Sequence, residues 1–382
     1  MTPSSSPARP DTLCVHSGTI YDAETGGVNT PIYPSSAFEY MDRADNVYPR
    51  YFNTPNQVAI VEKLCALEGA GGGVVFSSGM AAISTTILTF ARAGDHVVVQ
   101  DDLYGGTHAF ITKLCAQLGL THTFVATDAA AVERALTPAT KLVIIESPSN
   151  PLLNVIDIRQ VAAVARARGV VTMIDNTFAT PINQTPLALG IDIVVHSGTK
   201  YLGGHGDLCC GAALTSKDYA ERIRTTACHL GGSLNALTCY LLERSLKTLA
   251  LRVTRQNDNA LKLARFLAMS DGVAQVNYPG LPQHPGHELA RTQMTGFGAM
   301  LSFELAASAI APEAFLKKLR LIRPTVSLGG IDTIICSPAK TSHVKISAAE
   351  RARIGVSDRL LRLSVGIEAP EDLIADLQQA LG

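Results

Sequence analysis

Short runs of apolar, often β-branched residues recur through the middle of the chain, and each ends in polar or turn-forming residues. These runs are GVVFSS (73–78), HVVVQD (96–101), LVIIES (142–147), VTMIDN (171–176) and IDIVVHS (191–197). Ala- and Leu-rich stretches such as IRQVAAVARARG (158–169) separate them and are typical of helices. Continuous apolar strands with helical crossovers predict an α/β fold whose mostly parallel sheet is covered by helices on both faces.

The same pattern divides the chain into three segments. Residues 1–55 are rich in Pro, Ser, Asn and Tyr without sustained periodicity, which indicates an arm that packs on something else. Residues 56–245 form the predicted large domain, and a long helical region then runs from Leu234 to about Met269. Residues 246–382 mix apolar runs with helical stretches, which predicts a smaller C-terminal α+β domain. The strands predicted there are GAMLSFEL (298–305), TVSLGG (325–330), TIICSP (333–338) and LLRLSVGI (360–367).

Composition and charge narrow the class of protein. Of 382 residues, 47% are hydrophobic and only 17% are charged, which is typical of a chain whose surface is partly covered by other subunits. The net charge of −1 offers no electrostatic footprint for nucleic acid or a membrane surface, and no apolar run is long enough to span a bilayer. The N-terminus lacks the apolar core of a secretory signal, and the eight scattered cysteines have no CxxC spacing, so reduced thiols and a cytoplasmic protein are expected.

Two polar residues follow neighbouring apolar runs in the segment from Ile174 to Gly206. Asp175 ends one run, and Lys200 lies just beyond the next, where α/β folds keep their ligands. A partly buried lysine can form a Schiff base, and Ser197 and Thr199 supply hydroxyls for an anion. The set suits pyridoxal phosphate (PLP), although Lys200 taken alone would be interpreted as a solvated surface residue.

Other strand ends carry groups of the same kind. The turn FSSGMAA (76–82) opens a helix whose N–H groups can bind an anion, and DDLYGGT (101–107) brings Tyr104, whose ring can stack on a planar cofactor. Asn150 ends a third strand. Each has an ordinary turn or packing interpretation by itself, and only their convergence favours a site. His205 and His343 have no second ligand at helical or hairpin spacing, so no metal site is predicted.

Eight stretches together resemble, in order, the motifs of the PLP-dependent enzymes of Cys/Met metabolism. This family includes cystathionine γ-synthase, cystathionine γ-lyase, cystathionine β-lyase and methionine γ-lyase. The resemblance implies the aspartate-aminotransferase-like architecture, fold type I. The stretches are VYPRYFNTPNQ (47–57), FSSGMAA (76–82), DDLYGGT (101–107), ESPSNP (146–151), IDNTFATP (174–181), HSGTKYLGGHGD (196–207), VSLGGIDTIICSPAKTSH (326–343) and LLRLSVGIE (360–368).

The resemblance implies a cofactor role for each matched residue. Lys200 is the lysine that binds PLP covalently, Asp175 is the partner of the pyridine nitrogen, and Tyr104 is the stacking ring and proton carrier. Tyr48 and Arg50 match a Tyr-x-Arg motif that reaches the phosphate of a neighbouring subunit's cofactor, so a dimer at least, and a tetramer of two dimers, is expected. The remaining phosphate positions are Gly79, Met80, Ser197 and Thr199.

The resemblance also implies where the substrate binds. Arg362 matches the arginine that holds the substrate α-carboxylate, with Ser327 and Asn150 beside it. Gly106 stands where methionine γ-lyases carry cysteine, and Val47 stands where animal-type γ-lyases have an acid. Asp332 replaces a more usual glutamate. Gly106 favours the cystathionine enzymes, whereas Val47 counts against the animal-type γ-lyases. The resemblance as a whole favours γ-elimination or γ-replacement of the cystathionine γ-lyase or γ-synthase type.

Alternative functions remain open from the residues. Methionine γ-lyase and cystathionine β-lyase activity are close alternatives, although the tryptophan of one bacterial β-lyase group is absent because the chain has no Trp. A nucleotide-binding oxidoreductase or a non-catalytic binding module is an alternative of a different class. Neither is favoured, because no GxGxxG opens the first βαβ unit and no Walker A sequence occurs.

Overall fold

The computed structural model describes residues 8–342, 344 and 348–382, so residues 1–7 of the predicted arm and His343 lie outside the described residues. The strands are β1 Gly72–Phe76, β2 His96–Gln100, β3 Thr121–Val125, β4 Thr140–Glu146, β5 Val171–Asp175, β6 Ile193–Ser197, β7 Gly211–Thr215, β8 Val273–Asn277, β9 Met300–Leu305, β10 Arg323–Pro324, β11 Ile334–Cys336 and β12 Leu360–Ser364. Within the described ranges, no helix is both long and apolar enough to cross a bilayer.

The helices alternate with the strands of the first sheet, as the α/β pattern predicts. They are α1 Pro10–His16, α2 Pro55–Glu68, α3 Gly79–Phe90, α4 Gly105–Ala109, α5 Ala129–Ala135, α6 Ile158–Arg166, α7 Thr180–Asn183, α8 Lys217–Leu230, α9 Ala236–Leu246, α10 Leu249–Ala268, α11 His287–Gln293, α12 Pro312–Lys318, α13 Ala348–Arg353 and α14 Pro370–Leu381. A π-helical stretch, Phe110–Cys115, continues α4. The predicted helical region beyond Leu234 is present as α9 and α10.

The strands form two sheets. The seven-stranded sheet has the order β1-β7-β6-β5-β4-β2-β3, and the five-stranded sheet has the order β10-β11-β12-β9-β8. Strands β2 to β5 pair in parallel, whereas β1 pairs with β7 in antiparallel register. The α/β prediction is therefore confirmed. In the larger sheet the strand pattern missed β7, a short Ala-containing strand, and β3, whose residues are mostly not buried. In the smaller sheet it missed β8 and β10.

The chain divides into two compact units, and each is built from two stretches of chain. The first unit comprises Met1–Thr89 and Val195–Leu251, and the second comprises Phe90–Val194 and Arg252–Gly382. The domain boundaries predicted at residues 55 and 245 stay a prediction.

In the first unit, α2 joins the N-terminal segment to the rest. Its N-terminus is fixed by a capping box, in which the Thr54 backbone N–H donates to the Gln57 side chain at 3.0 Å. Further along α2, the buried Lys63 Nζ donates to the Cys14 carbonyl of α1 at 3.0 Å. This bond anchors the described part of the predicted arm.

In the second unit, an apolar cluster lies between the parallel strands and the helices α5 and α6. Val98, Val143 and Ile174 belong to it, and Val161 and Ala165 of α6 pack against them. Both helices begin at an aspartate whose carboxylate accepts backbone N–H groups of the first turn, Asp128 for α5 and Asp157 for α6. These helices thus pack against β2, β4 and β5.

One predicted strand of the smaller sheet is wrong. TVSLGG (325–330) contains no strand, because Ser327 (φ +83°) and Gly329 (φ +77°) both adopt left-handed backbone conformations. The segment instead lies across β12, where Gly329 N–H donates to the Ser364 hydroxyl at 2.8 Å. The loop thereby brings Ser327 to the face of β12 that carries Arg362.

The turn that leads into β10 depends on one carboxylate of α14. Asp376 is buried and accepts the N–H groups of Arg320, Leu321 and Ile322 at 2.8, 2.9 and 2.8 Å. Burial alone would raise the pKa of the Asp376 carboxyl, but these backbone bonds outweigh it and the pKa is lowered.

We expect Asp376→Asn to lower the free energy of unfolding by about 1–3 kcal/mol at pH 7, because a charged acceptor of three N–H groups becomes a neutral amide. Since the folded-state pKa lies below 3.8, the loss should shrink as the pH falls through that range. Urea unfolding at pH 7 and pH 3 measures both effects. The exposed Asp271→Asn is the matched control, and an Asp376→Asn variant as stable as this control at pH 7 would contradict the assignment.

Candidate active site

Lys200 lies in a tight turn directly after β6. Its N–H donates to the Ser197 carbonyl at 3.1 Å, and its own carbonyl accepts the Gly204 N–H at 2.7 Å. Gly198 of this turn packs directly against Cys210, because a Cβ at Gly198 would lie 2.6 Å from the Cys210 sulfur. These contacts fix the backbone of Lys200 and leave its side chain half-buried.

The start of α3 packs on the same turn. A Cβ at Gly79 would lie 2.7 Å from the Cβ of Ser197, so only glycine permits this approach. The first-turn N–H groups of Ala81 and Ala82 bond to Ser78. In the part of the chain that the structure describes, the N–H groups of Gly79 and Met80 remain at the positive end of a twelve-residue helix, beside Ser197.

Thr199 uses its hydroxyl within the turn. The Thr199 Oγ1 donates to the Cys210 carbonyl at 3.2 Å and accepts the Cys210 N–H at 3.1 Å. A hydroxyl has a single proton to donate, so this pairing competes with the phosphate contact predicted for Thr199. Among the predicted phosphate residues, Gly79, Met80 and Ser197 are brought together more directly.

Tyr48 and Arg50 form a separate, exposed group in the first unit. The guanidinium of Arg50 lies 5.8 Å from the Tyr48 ring centroid and 5.4 Å from that of Tyr51, and Nη1 donates to the Cys228 carbonyl at 2.7 Å. Asn53 holds the motif in shape by accepting the Tyr48 N–H at 3.0 Å. The motif is thus ordered by its own contacts and open to solvent.

In the second unit, Tyr104 is held by a carboxyl that the sequence interpretation had not assigned. Glu146, at the end of β4, accepts the Tyr104 N–H at 2.9 Å and is buried. Burial raises the pKa of Glu146 well above its ordinary value, and the neighbouring charge of Asp175 raises it further, against a smaller effect of Arg362. Tyr104 itself is the N-cap residue directly before α4 and is 42% exposed.

Asp175 ends β5, as the strand pattern predicts. Its Oδ1 accepts the Thr177 N–H at 3.0 Å, and the carboxyl is half-buried. Glu146 and Asp175 therefore place two acids at neighbouring strand ends, β4 and β5 being paired in parallel up to these two residues. Such a pair favours a cationic ligand group.

Asn150 and Ser327 both contact Arg362, which lies on the smaller sheet. Arg362 lies in the middle of β12 and is only 5% exposed. Its Nη1 donates to Asn150 Oδ1 at 2.8 Å, and its Nη2 donates to the Ser327 carbonyl at 3.3 Å. The two contacts hold the planar fork in one orientation.

The three positions expected to select the substrate differ in their surroundings. Val47 is half-buried beside the Tyr-x-Arg motif, and Gly106 lies in the first turn of α4, two residues after Tyr104. Asp332 is exposed in the turn before β11.

The sequence interpretation missed Glu146 and a second buried acid, Asp102. Gln100 connects them, since its Nε2 donates to Asp102 Oδ1 at 2.7 Å and its Oε1 accepts the Glu146 N–H at 3.1 Å. Both acids stand at the ends of apolar runs, which is the signal that singled out Asp175. That signal alone does not distinguish them from ordinary carboxylates at strand ends.

Comparisons with known proteins identify relatives over nearly the whole chain. The model of the family "Cys/Met metabolism PLP-dependent enzyme" matches residues 11–382. Cystathionine gamma-lyase of Bacillus subtilis (strain 168) is 43% identical over 374 residues, which cover 97% of this chain and 98% of the relative. Cystathionine beta-lyase of Lactococcus lactis subsp. cremoris (strain MG1363) is 42% identical over 375 residues, with the same coverage.

Solved structures agree with this similarity. The crystal structure of cystathionine gamma-lyase from Lactobacillus plantarum, complexed with L-serine, matches with a TM-score of 0.94 and 40% identity, and the match covers 98% of both chains. The predicted PLP-dependent fold type I architecture is confirmed.

We expect Glu146→Gln to stabilise the cofactor-free protein increasingly, relative to wild type, as the pH rises above 4.5. The native acid has no ionisation cost while it is protonated in both the folded and the unfolded state. At a pH above its ordinary pKa, the Glu146 carboxyl destabilises the fold. The full cost is about 1.4 kcal/mol for each pH unit between its ordinary pKa and its raised pKa. Glutamine does not ionise and has no such cost. Thermal midpoints at pH 5 and pH 8 measure the trend, with the exposed Glu133→Gln as control. A difference between Glu146→Gln and wild type that is equal at both pH values would contradict the burial argument.

Proposed function

We propose a reaction for this chain on the premise that it belongs to the Cys/Met metabolism PLP-dependent enzyme family, whose model matches residues 11–382. The reaction is γ-elimination or γ-replacement on a sulfur amino acid, of the cystathionine γ-lyase or γ-synthase type. Cystathionine β-lyase activity is the second candidate, because a relative of that name is 42% identical to the chain. Methionine γ-lyase activity is a third candidate, made less favoured by Gly106.

The buried guanidinium of Arg362 carries the proposal that the substrate is an amino acid. Its two hydrogen-bond acceptors, Asn150 and the Ser327 carbonyl, are neutral, and no residue of the described ranges forms an ion pair with it. A buried cation is costly unless a negative group pairs with it. A substrate α-carboxylate supplies that group and matches the planar fork.

PLP is the cofactor of the family. The phosphate is assigned to the Gly79 and Met80 N–H groups and to Ser197, because a glycine cradle at a helix N-terminus suits an anion. The pyridine nitrogen is assigned to Asp175, since a protonated ring nitrogen would relieve the repulsion between Asp175 and Glu146. Lys200 is assigned as the residue that binds PLP covalently.

When bound, PLP withdraws electrons from the substrate Cα. The protein groups then have separate tasks. Arg362 orients the substrate by its carboxylate, the Tyr104 phenol takes a proton from the incoming amine, and the Lys200 amine moves protons between Cα and Cβ. Glu146 keeps Tyr104 in place by accepting the backbone N–H of Tyr104.

The proposal includes a homo-oligomer, a tetramer of two dimers, in which Tyr48 and Arg50 serve a neighbouring copy. Both side chains are exposed in the single chain, although they are ordered by contacts of their own. Large apolar side chains of the same segment are also exposed and would be covered by a second copy. They include Tyr21, Val28, Ile32, Tyr40, Met41 and Val58. With eight free cysteines, a cytoplasmic location is proposed as well.

Product analysis tests the reaction. Purified protein with PLP is incubated with cystathionine, with methionine, and with an O-acylhomoserine plus cysteine. The proposal expects 2-oxobutyrate from cystathionine or new cystathionine from the replacement pair, whereas pyruvate would favour β-elimination. Lys200→Ala is the matched control for turnover that does not need the lysine. No product from any sulfur substrate would overturn the proposed reaction.

Mixing two inactive variants tests the shared site. Arg50→Ala and Lys200→Ala should each have little activity, and a hybrid dimer of the two should contain one intact site. Refolding an equal mixture should therefore recover about a quarter of the wild-type activity, because half of the dimers are hybrids with one good site each. Arg50→Lys in place of Arg50→Ala serves as the charge-preserving control. No recovery in the mixture would place Arg50 and Lys200 in the same subunit's site.

A further inference from the structure

Asp102 is a buried carboxylate that four neutral donors surround. It is 4% exposed, and no residue of the described ranges forms an ion pair with it. Its Oδ1 accepts Gln100 Nε2 at 2.7 Å and the Thr127 hydroxyl, and its Oδ2 accepts the Ser149 hydroxyl at 2.6 Å and Asn154 Nδ2 at 2.7 Å. Burying an unpaired charge is costly, and short charge-assisted bonds offset that cost.

The two donors on Oδ2 are the two ends of one loop. The Ser149 N–H donates to the Asn154 carbonyl at 2.9 Å, and the Asn154 N–H donates to the Ser149 hydroxyl at 3.1 Å. These bonds join residues 149 and 154, which form the neck of the loop. Asp102, which follows the neighbouring strand β2, accepts a hydrogen bond from each of them. Asp102 therefore contacts both ends of the loop at once.

Asn150, the residue after Ser149, is the loop residue that meets the substrate arginine. It is 2% exposed, and its Oδ1 accepts Arg362 Nη1 at 2.8 Å. A shift of the neck would move this oxygen, and the Arg362 fork would lose one of the two contacts that orient it.

We propose that Asp102 is a positioning residue for substrate carboxylate binding: through Ser149 and Asn154 it fixes the 149–154 loop, so that Asn150 orients the Arg362 fork. The inference rests on the proposed role of Arg362. It assigns a function to a residue that touches neither substrate nor cofactor, and it predicts a selective loss of carboxylate recognition.

The test compares two ligands that differ only in the carboxylate. L-alanine and L-alaninamide are titrated into the PLP-loaded protein, and binding is followed by the change in cofactor absorbance. Asp102→Asn should weaken L-alanine binding about tenfold, since a charged acceptor of two loop donors is lost. L-alaninamide binding should change less than about twofold, because the amide makes no charged pair with the fork. PLP content should be unchanged.

Three further variants make the outcome decisive. The quantity compared is the ratio of L-alanine affinity to L-alaninamide affinity. Ser149→Ala removes one loop donor without changing the charge, and should lower this ratio as Asp102→Asn does. It serves as the test even if Asp102→Asn does not fold. Thr127→Val removes a donor on the other oxygen, away from the loop, and should leave the ratio unchanged. Arg362→Lys should lower the ratio through the fork itself.

The pattern of results separates the two claims. If Arg362→Lys leaves the ratio unchanged, the proposed carboxylate site is wrong. If Arg362→Lys lowers the ratio while Asp102→Asn and Ser149→Ala do not, the positioning role of Asp102 is overturned and the carboxylate site stands. An equal loss of affinity for both ligands in Asp102→Asn would also overturn it, because general damage has no preference for a carboxylate.

Discussion

The turn that carries Lys200 depends on a close approach of backbone segments that only glycine allows. Gly79 at the start of α3 meets Ser197 at the end of β6, and Gly198 meets Cys210, each at a distance where a Cβ would overlap its neighbour. Because these contacts leave no space for side chains, the start of α3 and the Lys200 turn share one fixed geometry. The N–H groups that we propose for the phosphate, and the backbone of Lys200, are thereby held in place by the fold itself.

Buried charge is the corresponding constraint in the second unit. Asp102, Glu146 and Arg362 are each almost fully buried, and their hydrogen-bond partners are neutral side chains and backbone groups. Such groups cost stability unless their bonds are complete. These bonds hold the Arg362 fork in one orientation and fix the Tyr104 backbone against Glu146.

Features that depend on the local sequence pattern could be predicted from the sequence. Apolar runs located five strands of the larger sheet, and their polar ends located Asp175, Lys200 and Tyr104. It was wrong for TVSLGG, since nothing in the composition of that segment reveals the left-handed backbone at Ser327. It left Glu146 and Asp102 unassigned because a carboxylate at a strand end has many ordinary explanations. Only the donors around Asp102, which come from residues up to 52 positions away, distinguish it.

Peptide mapping tests whether this chain binds PLP covalently through Lys200. The PLP-loaded protein is reduced with borohydride, digested and analysed by mass spectrometry for the lysine that carries the reduced cofactor. We expect a single labelled peptide that contains HSGTKYLGGHGD, with the label on Lys200. A label on another lysine, or a loaded protein from which reduction fixes no cofactor, would contradict it.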